Sequence, residues 1–381
     1  MHFSLNKWLA ASVLFLSFTC ALAARPVPAP PKINAKAHLL MDYKTGGILA
    51  ENNIDTPLEP ASLTKIMTSY VVAHELKEGN ISLKDEVVVS EKAWKMAGSR
   101  TFIEINKKIP LETLLMGVVI QSGNDAAVAL AEHASGSEEV FADLMNEHAE
   151  RLGLRNTHFV NATGLPDPNH YTTARDLAAL SVAFIRDFPE TYALSKVREF
   201  TFNGIVQHNR NRLLWRDDSV DGIKTGHTET AGYCLVASAE RQGMRLISVV
   251  LGSASEDERT AVTQSLLNYG FRFYETHRLY GAHQPLTKAR VWKGAAEQMK
   301  LGLTEDLYVT IPRHQYKELK AMMDLDTPIL APVAKGESKG TLKVSLQGKE
   351  VAQRPLIALE SVAQGGFVHR VADGLRLLLS Q

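Results

Sequence analysis

Residues 60–65 read Pro60-Ala61-Ser62-Leu63-Thr64-Lys65, and the fold and chemistry of the chain turn on this stretch. Apolar residues continue at Ile66, Met67, Tyr70 and Val71 and stop at Gly79-Asn80. That spacing predicts a helix over 62–77 with a glycine end signal. Ser62 and Lys65, three residues apart, then share one helix face. A serine hydroxyl is a weak nucleophile until a neighbour takes its proton. A lysine amine takes it only when its pKa is lowered, and burial or a second nearby cation lowers it. The start of a helix also places Ser62 where backbone N–H groups and the helix dipole favour developing negative charge.

Two further strings follow in order, Ser122-Gly123-Asn124 and Lys224-Thr225-Gly226. Pro110 opens a predicted helix through Ile120, and Asp125 begins another that ends near Gly136, so the first string occupies an inter-helix turn. The second precedes apolar runs at 233–239 and 246–252, joined near Gln242-Gly243, which read as neighbouring antiparallel strands. Lys224 is then the candidate second cation beside Lys65. Each string alone is a weak signal. Ser4-Leu5-Asn6-Lys7 also fits Ser-x-x-Lys, and Lys44-Thr45-Gly46 is a second Lys-Thr-Gly, in a predicted hairpin turn between runs at 39–42 and 47–50. The ordered set on helix start, inter-helix turn and strand is what chance does not supply.

The chain has 381 residues, 45% hydrophobic and 22% charged, with 42 basic and 42 acidic residues, which is enough for two domains and gives no basic excess for nucleic acid. Lys7 followed by the apolar run 9–18 and by Ala21-Leu22-Ala23 fits a cleaved export signal, with the cut after Ala23. A lipoprotein reading through Cys20 is poor, because Phe18 and Thr19 are not small. Cleavage leaves 41 basic residues against 42 acidic and one cysteine, Cys234, so no internal disulfide can form. Cys234 reads as a small buried strand residue.

Farther along, Thr173 to Asp176 looks like a capping box ahead of a run at 177–185, and a helix is expected over about 257–276. Composition shifts near 281–285. Short alternating segments at 289–292, 307–311 and 342–346, with a turn at Gln347-Gly348, predict a small all-β domain of roughly eighty residues. The expected division is a signal peptide at 1–23, a catalytic domain at 24–282, the β domain at 283–364 and a terminal amphipathic helix at 365–381. On that helix Phe367, Val368, Val371, Ala372, Leu375, Leu378 and Leu379 fill one arc, with Leu377 the misfit, and His369, Arg370, Asp373 and Arg376 fill the other. It is too short and charged to span a bilayer, so it either lies in a membrane surface or packs on the β domain. Asp373 counts against attraction to anionic lipid.

The stretches 60–65, 121–126 (Gln121-Ser122-Gly123-Asn124-Asp125-Ala126) and 221–228 (Asp221-Gly222-Ile223-Lys224-Thr225-Gly226-His227-Thr228) resemble the low-molecular-mass penicillin-binding proteins, in particular D-alanyl-D-alanine carboxypeptidases of the penicillin-binding-protein-5 type, serine peptidase family S11. The resemblance covers nearly the whole chain after 23. It implies an α/β catalytic domain of β-lactamase/transpeptidase type, with an antiparallel sheet flanked by helices. It implies that Ser62 attacks the carbonyl of the penultimate D-alanine, Lys65 takes the proton, Ser122 relays a proton to the departing D-alanine, and Lys224 supports the electrostatics. Asn124, Thr225, Gly226 and His227 are the implied substrate-binding residues, with backbone N–H groups of Ser62 and His227 forming the oxyanion hole. Arg210 and Arg259 occupy places where the family has substrate-side arginines. No cofactor or metal is implied. The implied partners are peptidoglycan stem peptides, β-lactam antibiotics and, through the terminal helix, the periplasmic face of the inner membrane. Some relatives have histidine where this chain has Thr163, ahead of Gly164-Leu165, which leaves that loop's part open.

Alternatives of other kinds remain at this point. A serine β-lactamase shares the three strings, but no Glu-x-x-x-Asn signature is present. A D,D-endopeptidase is closer. A zinc peptidase lacks His-Glu-x-x-His among the thirteen histidines. A non-enzymatic wall-binding scaffold is conceivable for the β domain, whose sequence shows no chemistry.

Overall fold

The computed structural model describes residues 27–379, so the expected signal peptide, and with it the Ser4 to Lys7 decoy, lies outside the described residues. The apolar runs around the hairpin and after Lys-Thr-Gly assemble into one antiparallel sheet. Its order is Ile48–Asn52, Ala37–Asp42, Met244–Ser253, Gly232–Arg241, Val220–Thr228. Alternate residues feed two cores. Leu39, Val236, Val249 and Leu251 face the helical side, and Leu40, Leu235, Ala237 and Val250 face the helix Glu256–Phe273. Burial on both faces explains why these strands read as continuous apolar runs and not as alternating ones.

The helix predicted over 62–77 forms as a 3-10 turn, Ala61–Thr64, running into an α-helix, Lys65–Glu78, capped by Gly79 at φ +75°. Its first nine residues are all buried, so it is the central helix of its layer. Helices Asn124–Ser135, Glu138–Arg151 and Ala174–Asp187 surround it. Ser122 lies in the expected inter-helix turn at φ +66°, between a π-turn, Gly117–Gln121, and the next helix.

Two local expectations change. The helix expected to reach Thr276 stops at Phe273. Tyr274–Tyr280 is a strand, because it pairs with Leu307–Pro312 and Leu279 and Tyr280 pack against the second core. Long-range pairing overrides the local helical pattern there. Thr173 caps its helix by accepting from the Asp176 N–H at 3.1 Å, as expected. The Asp176 carboxylate does not return the cap: it accepts from Asn156 N–H and Thr157 Oγ1 and ties down an upstream loop.

The second core belongs to a six-stranded sheet built from Leu319–Leu325, Ser338–Leu346, Lys349–Ala358, Gln298–Gly302, Thr287–Trp292 and Ile329–Leu330. The duplicate Lys44-Thr45-Gly46 joins the first sheet to the two-stranded ribbon of Tyr274–Tyr280 and Leu307–Pro312. Thr45 Oγ1 meets Thr310 Oγ1 at 2.7 Å, Lys44 lies over the Tyr308 ring, and Thr276 donates to the buried Asp42 carboxylate at 2.6 Å.

The terminal helix, Phe367–Leu379, is inverted relative to an ordinary packed helix. Phe367, Val368, Val371, Leu375, Leu378 and Leu379 are exposed, the last at 88%. Asp373, expected on the solvent face, is buried instead. It accepts from the Lys293 N–H at 2.7 Å, with Arg290, Arg376 and His369 within 3.8 Å. A carboxylate that satisfies a backbone donor among cations is stable inside, and it pins the polar face to the β domain. Among the described residues no helix is long and apolar enough to cross a membrane.

Candidate active site

Where the central helix begins beside the edge strand Val220–Thr228, a cleft of about 470 Å³ opens. Ser62, Ser122, Arg210, Thr225, Gly226, His227 and Arg259 line it, as does Tyr233. Lys65, Asn124 and Lys224 lie buried next to it, each at most 5% exposed. The three strings and both arginines therefore come together at one cleft.

Lys65 decides what this cleft can do. Its Nζ donates to Asn124 Oδ1 at 2.7 Å and to the Thr163 carbonyl at 2.7 Å, and lies 3.1 Å from Ser62 Oγ. The Asn124 amide is oriented unambiguously, because its Nδ2 donates to the Ala97 carbonyl at 2.6 Å, which only accepts. A neutral amine has two N–H bonds and one lone pair. The two carbonyl-type acceptors consume the N–H bonds, so the lone pair is left for the Ser62 hydroxyl. Burial first, then the Arg210 guanidinium, lowers the Lys65 pKa to about 7 against the opposing pull of Asp125 and Glu138. The base is therefore available near neutrality.

Lys224 belongs to the same buried cluster. It too is held well below its ordinary value, first by burial and then by Lys65, Arg210 and Arg259. Repulsion between the two buried amines is mutual, and the Arg210 guanidinium adds to it on both. Lys224 Nζ donates to the Thr225 carbonyl at 3.2 Å. Ser122 Oγ is buried with no hydrogen-bond partner among the described residues, although Ser122 lines the cleft. An orphaned hydroxyl lining the same cleft as the Ser62 hydroxyl can both donate and accept a proton there.

The two arginines differ. Arg259 is buried, donating to the Gly226 carbonyl and to Glu256, so it braces the strand while facing the cleft. Arg210 is exposed and makes no hydrogen bond or ion pair among the described residues, leaving its charge free for an anion. Thr225 is buried in the cleft wall, and the His227 ring stacks on Tyr233 at 4.0 Å. Asn124, expected on the substrate, has its carbonyl oxygen engaged by Lys65 and one amide donor engaged by Ala97.

Several contributors were missed by sequence reasoning. Asp125 is fully buried and accepts from the N–H groups of Thr101, Phe102 and Ala126, fixing the loop whose Gly98 and Ser99 edge the cleft. Its position after Asn124 was the only signal. At the Thr163 departure the loop reaches Lys65 through a backbone carbonyl, and the Thr163 hydroxyl turns to Asn161 at 3.0 Å. Cys234 is buried as expected, and burial pushes its thiol up to about 11.

Residues 24–255 match the D-alanyl-D-alanine carboxypeptidase family, peptidase S11, and residues 274–364 match the penicillin-binding protein 5 C-terminal domain. The chain is 47% identical to D-alanyl-D-alanine carboxypeptidase DacC of Escherichia coli (strain K12), across 99% of this chain and 97% of the relative. It is 43% identical to DacA of the same strain, across 92% and 89% respectively. Among solved structures, penicillin binding protein 5 from Haemophilus influenzae superposes with a TM-score of 0.87 at 43% identity, covering 88% of this chain and all of that one.

Proposed function

The chain belongs to the D-alanyl-D-alanine carboxypeptidase family of serine peptidases, and from that premise we propose that it trims the terminal D-alanine from peptidoglycan stem pentapeptides through an acyl-enzyme on Ser62. The activity, a serine-type D-Ala-D-Ala carboxypeptidase of the penicillin-binding type, follows from the family; the residue roles are inferred. The observation that carries them is the coordination of Lys65, whose two N–H bonds are spent on Asn124 and Thr163 so that its lone pair faces Ser62.

Ser62 Oγ bonds to the penultimate D-alanine carbonyl carbon as its proton passes to Lys65. Backbone N–H groups of Ser62 and His227 hold the oxyanion. Ser122 passes a proton to the departing amine as the C–N bond breaks, with Lys224 supporting the electrostatics. Thr225 and the free guanidinium of Arg210 receive the terminal carboxylate, and Arg259 holds Gly226 in place for them. Water then hydrolyses the ester. A β-lactam enters by the same attack and stays as a covalent adduct. The test is the fate of diacetyl-Lys-D-Ala-D-Ala. One equivalent of free D-alanine per peptide is expected; a product only from cross-linked dimers would instead make the enzyme a D,D-endopeptidase.

The catalytic unit at 24–282, the β domain at 283–364 and the helix at 365–381 divide the labour in this reading. The outward apolar face and inward Asp373 of the terminal helix support peripheral attachment to the outer face of the inner membrane, with the enzyme in the periplasm. With Asp373 tucked in, its charge no longer opposes anionic lipid. Each apolar side chain withdrawn from water is worth about 1.5–3 kcal/mol. A double variant, Leu375→Glu with Leu378→Glu, is therefore expected to weaken sedimentation with phosphatidylglycerol-containing vesicles by about 100-fold or more while leaving D-alanine release in solution unchanged. Equal sedimentation of variant and parent would remove the anchor.

A further inference from the structure

We propose that His170 is a positioning residue for the nucleophile, holding the turn that presents Ser62 through the hydroxyl of Thr64. This rests on Ser62 being the nucleophile. The turn needs holding: Ala61, immediately before Ser62, is a buried non-glycine residue in the left-handed region at φ +47°. Such a conformation persists only where its surroundings enforce it.

The enforcing groups form one directed relay. Val160 N–H points at His170 Nδ1 at 3.2 Å, and a backbone N–H can only donate. His170 Nδ1 therefore accepts, which puts the ring proton on Nε2. That proton is donated to Thr64 Oγ1 at 2.7 Å. The Thr64 hydroxyl spends its own single proton on the Ala61 carbonyl at 2.9 Å. Thr64 is 0% exposed and His170 is 2% exposed, so water cannot substitute for any link.

The same loop closes on the same carbonyl. At Gly164, φ +82°, an added Cβ would lie 1.8 Å from the Ala61 carbonyl oxygen, so only glycine passes there. Immediately before that glycine the loop sends the Thr163 carbonyl to Lys65 and the Ala162 carbonyl to Thr68. His170 thus locks Ser62, through Thr64, to the segment that orients the base. The groups facing the ring are Asp167 and His158 from its own loop and Lys65 from the helix, with Phe159 edge-on at 5.6 Å. Burial lowers the imidazole to about 4, so it is neutral at working pH and its tautomer is fixed. A second proton would sit on Nδ1 against Val160 N–H and break the first link.

The test compares His170→Leu, His170→Gln and Thr64→Val in the full chain, reading kcat and KM for D-alanine release and the rate of labelled-penicillin attachment. His170→Leu and Thr64→Val are expected to lower kcat and the attachment rate about 10- to 100-fold with KM unchanged, since a small displacement of a nucleophile costs that much. His170→Gln, whose amide can accept from Val160 and donate to Thr64, is expected to recover most of the loss. If His170→Leu does not fold, Thr64→Val, which exchanges one hydroxyl for a methyl, carries the comparison. Wild-type kcat in His170→Leu or Thr64→Val, or no gain of glutamine over leucine, overturns the positioning role. Label persisting in Ser62→Ala overturns the nucleophile assignment beneath it, so the two failures are distinguishable.

Discussion

Ser62→Ala is expected to abolish covalent penicillin attachment and to lower D-alanine release by about 10,000-fold or more, because removing a nucleophile from a cooperating group erases nearly all that the group achieves. The fold is expected to be indifferent. Ser62 is partly exposed, and the hydrogen bond its hydroxyl makes is the one to Lys65. Lys65 keeps both carbonyl-type acceptors when the hydroxyl goes, so no buried donor is stranded and stability should change by less than about 1 kcal/mol. Intact mass after exposure to benzylpenicillin reads the adduct directly. An adduct at the wild-type stoichiometry in the variant would place the nucleophile elsewhere and dismantle the mechanism.

The second large effect is in pH. Lys65 accepts a proton only when neutral, and burial brings its pKa from 10.5 to about 7. The expected profile of kcat/KM rises about tenfold per pH unit below that value and flattens above it. Lys224 is depressed in the same cluster, so the limb belongs to the coupled group, and variants assign it. Lys65→Met should lower the plateau by about 100- to 10,000-fold and remove the limb. Arg210→Ala withdraws a cation that depresses Lys65, so its limb should move to higher pH, whatever happens to its height. A limb that stays in place in Arg210→Ala would contradict the electrostatic assignment. The same shift links activity to stability. Between about 7 and 10.5 the unfolded chain holds a proton on Lys65 that the native state does not. Stability from this group therefore rises with pH across that window, and below it the full cost of burying the amine is present. Chemical denaturation of wild type against Lys65→Met at pH 6 and pH 9 measures the difference.

Much of the site was legible because its signals are local. Glycine ends, a proline start and paired apolar runs placed Ser62 at a helix start, Ser122 in a turn and Lys224 on a strand, and the structure puts them there. The Phe273 helix end was not legible, since the pairing of Tyr274 with Pro312 is a contact with another part of the chain. The burial of Asp373 was not legible either. A helical wheel divides a helix into arcs without saying which arc meets a neighbour, and here the polar arc does.

The amino-acid sequence by itself determined which functional groups exist and in what order: a hydroxyl and an amine one turn apart, a second hydroxyl in a turn, and a lysine on a strand. Tertiary structure alone decided their chemical state. The Lys65 amine has the state a base needs because a carbonyl 98 residues away takes one of its N–H bonds and because the fold excludes water from it. Burial and then the Arg210 guanidinium depress it, and His170 reaches the Ser62 turn from 106 residues beyond Thr64. Capping and periodicity act over one or two turns of chain, so sequence carries them. Desolvation, lone-pair direction and tautomer depend on whichever groups the folded chain brings within a few ångströms, and no local pattern encodes that.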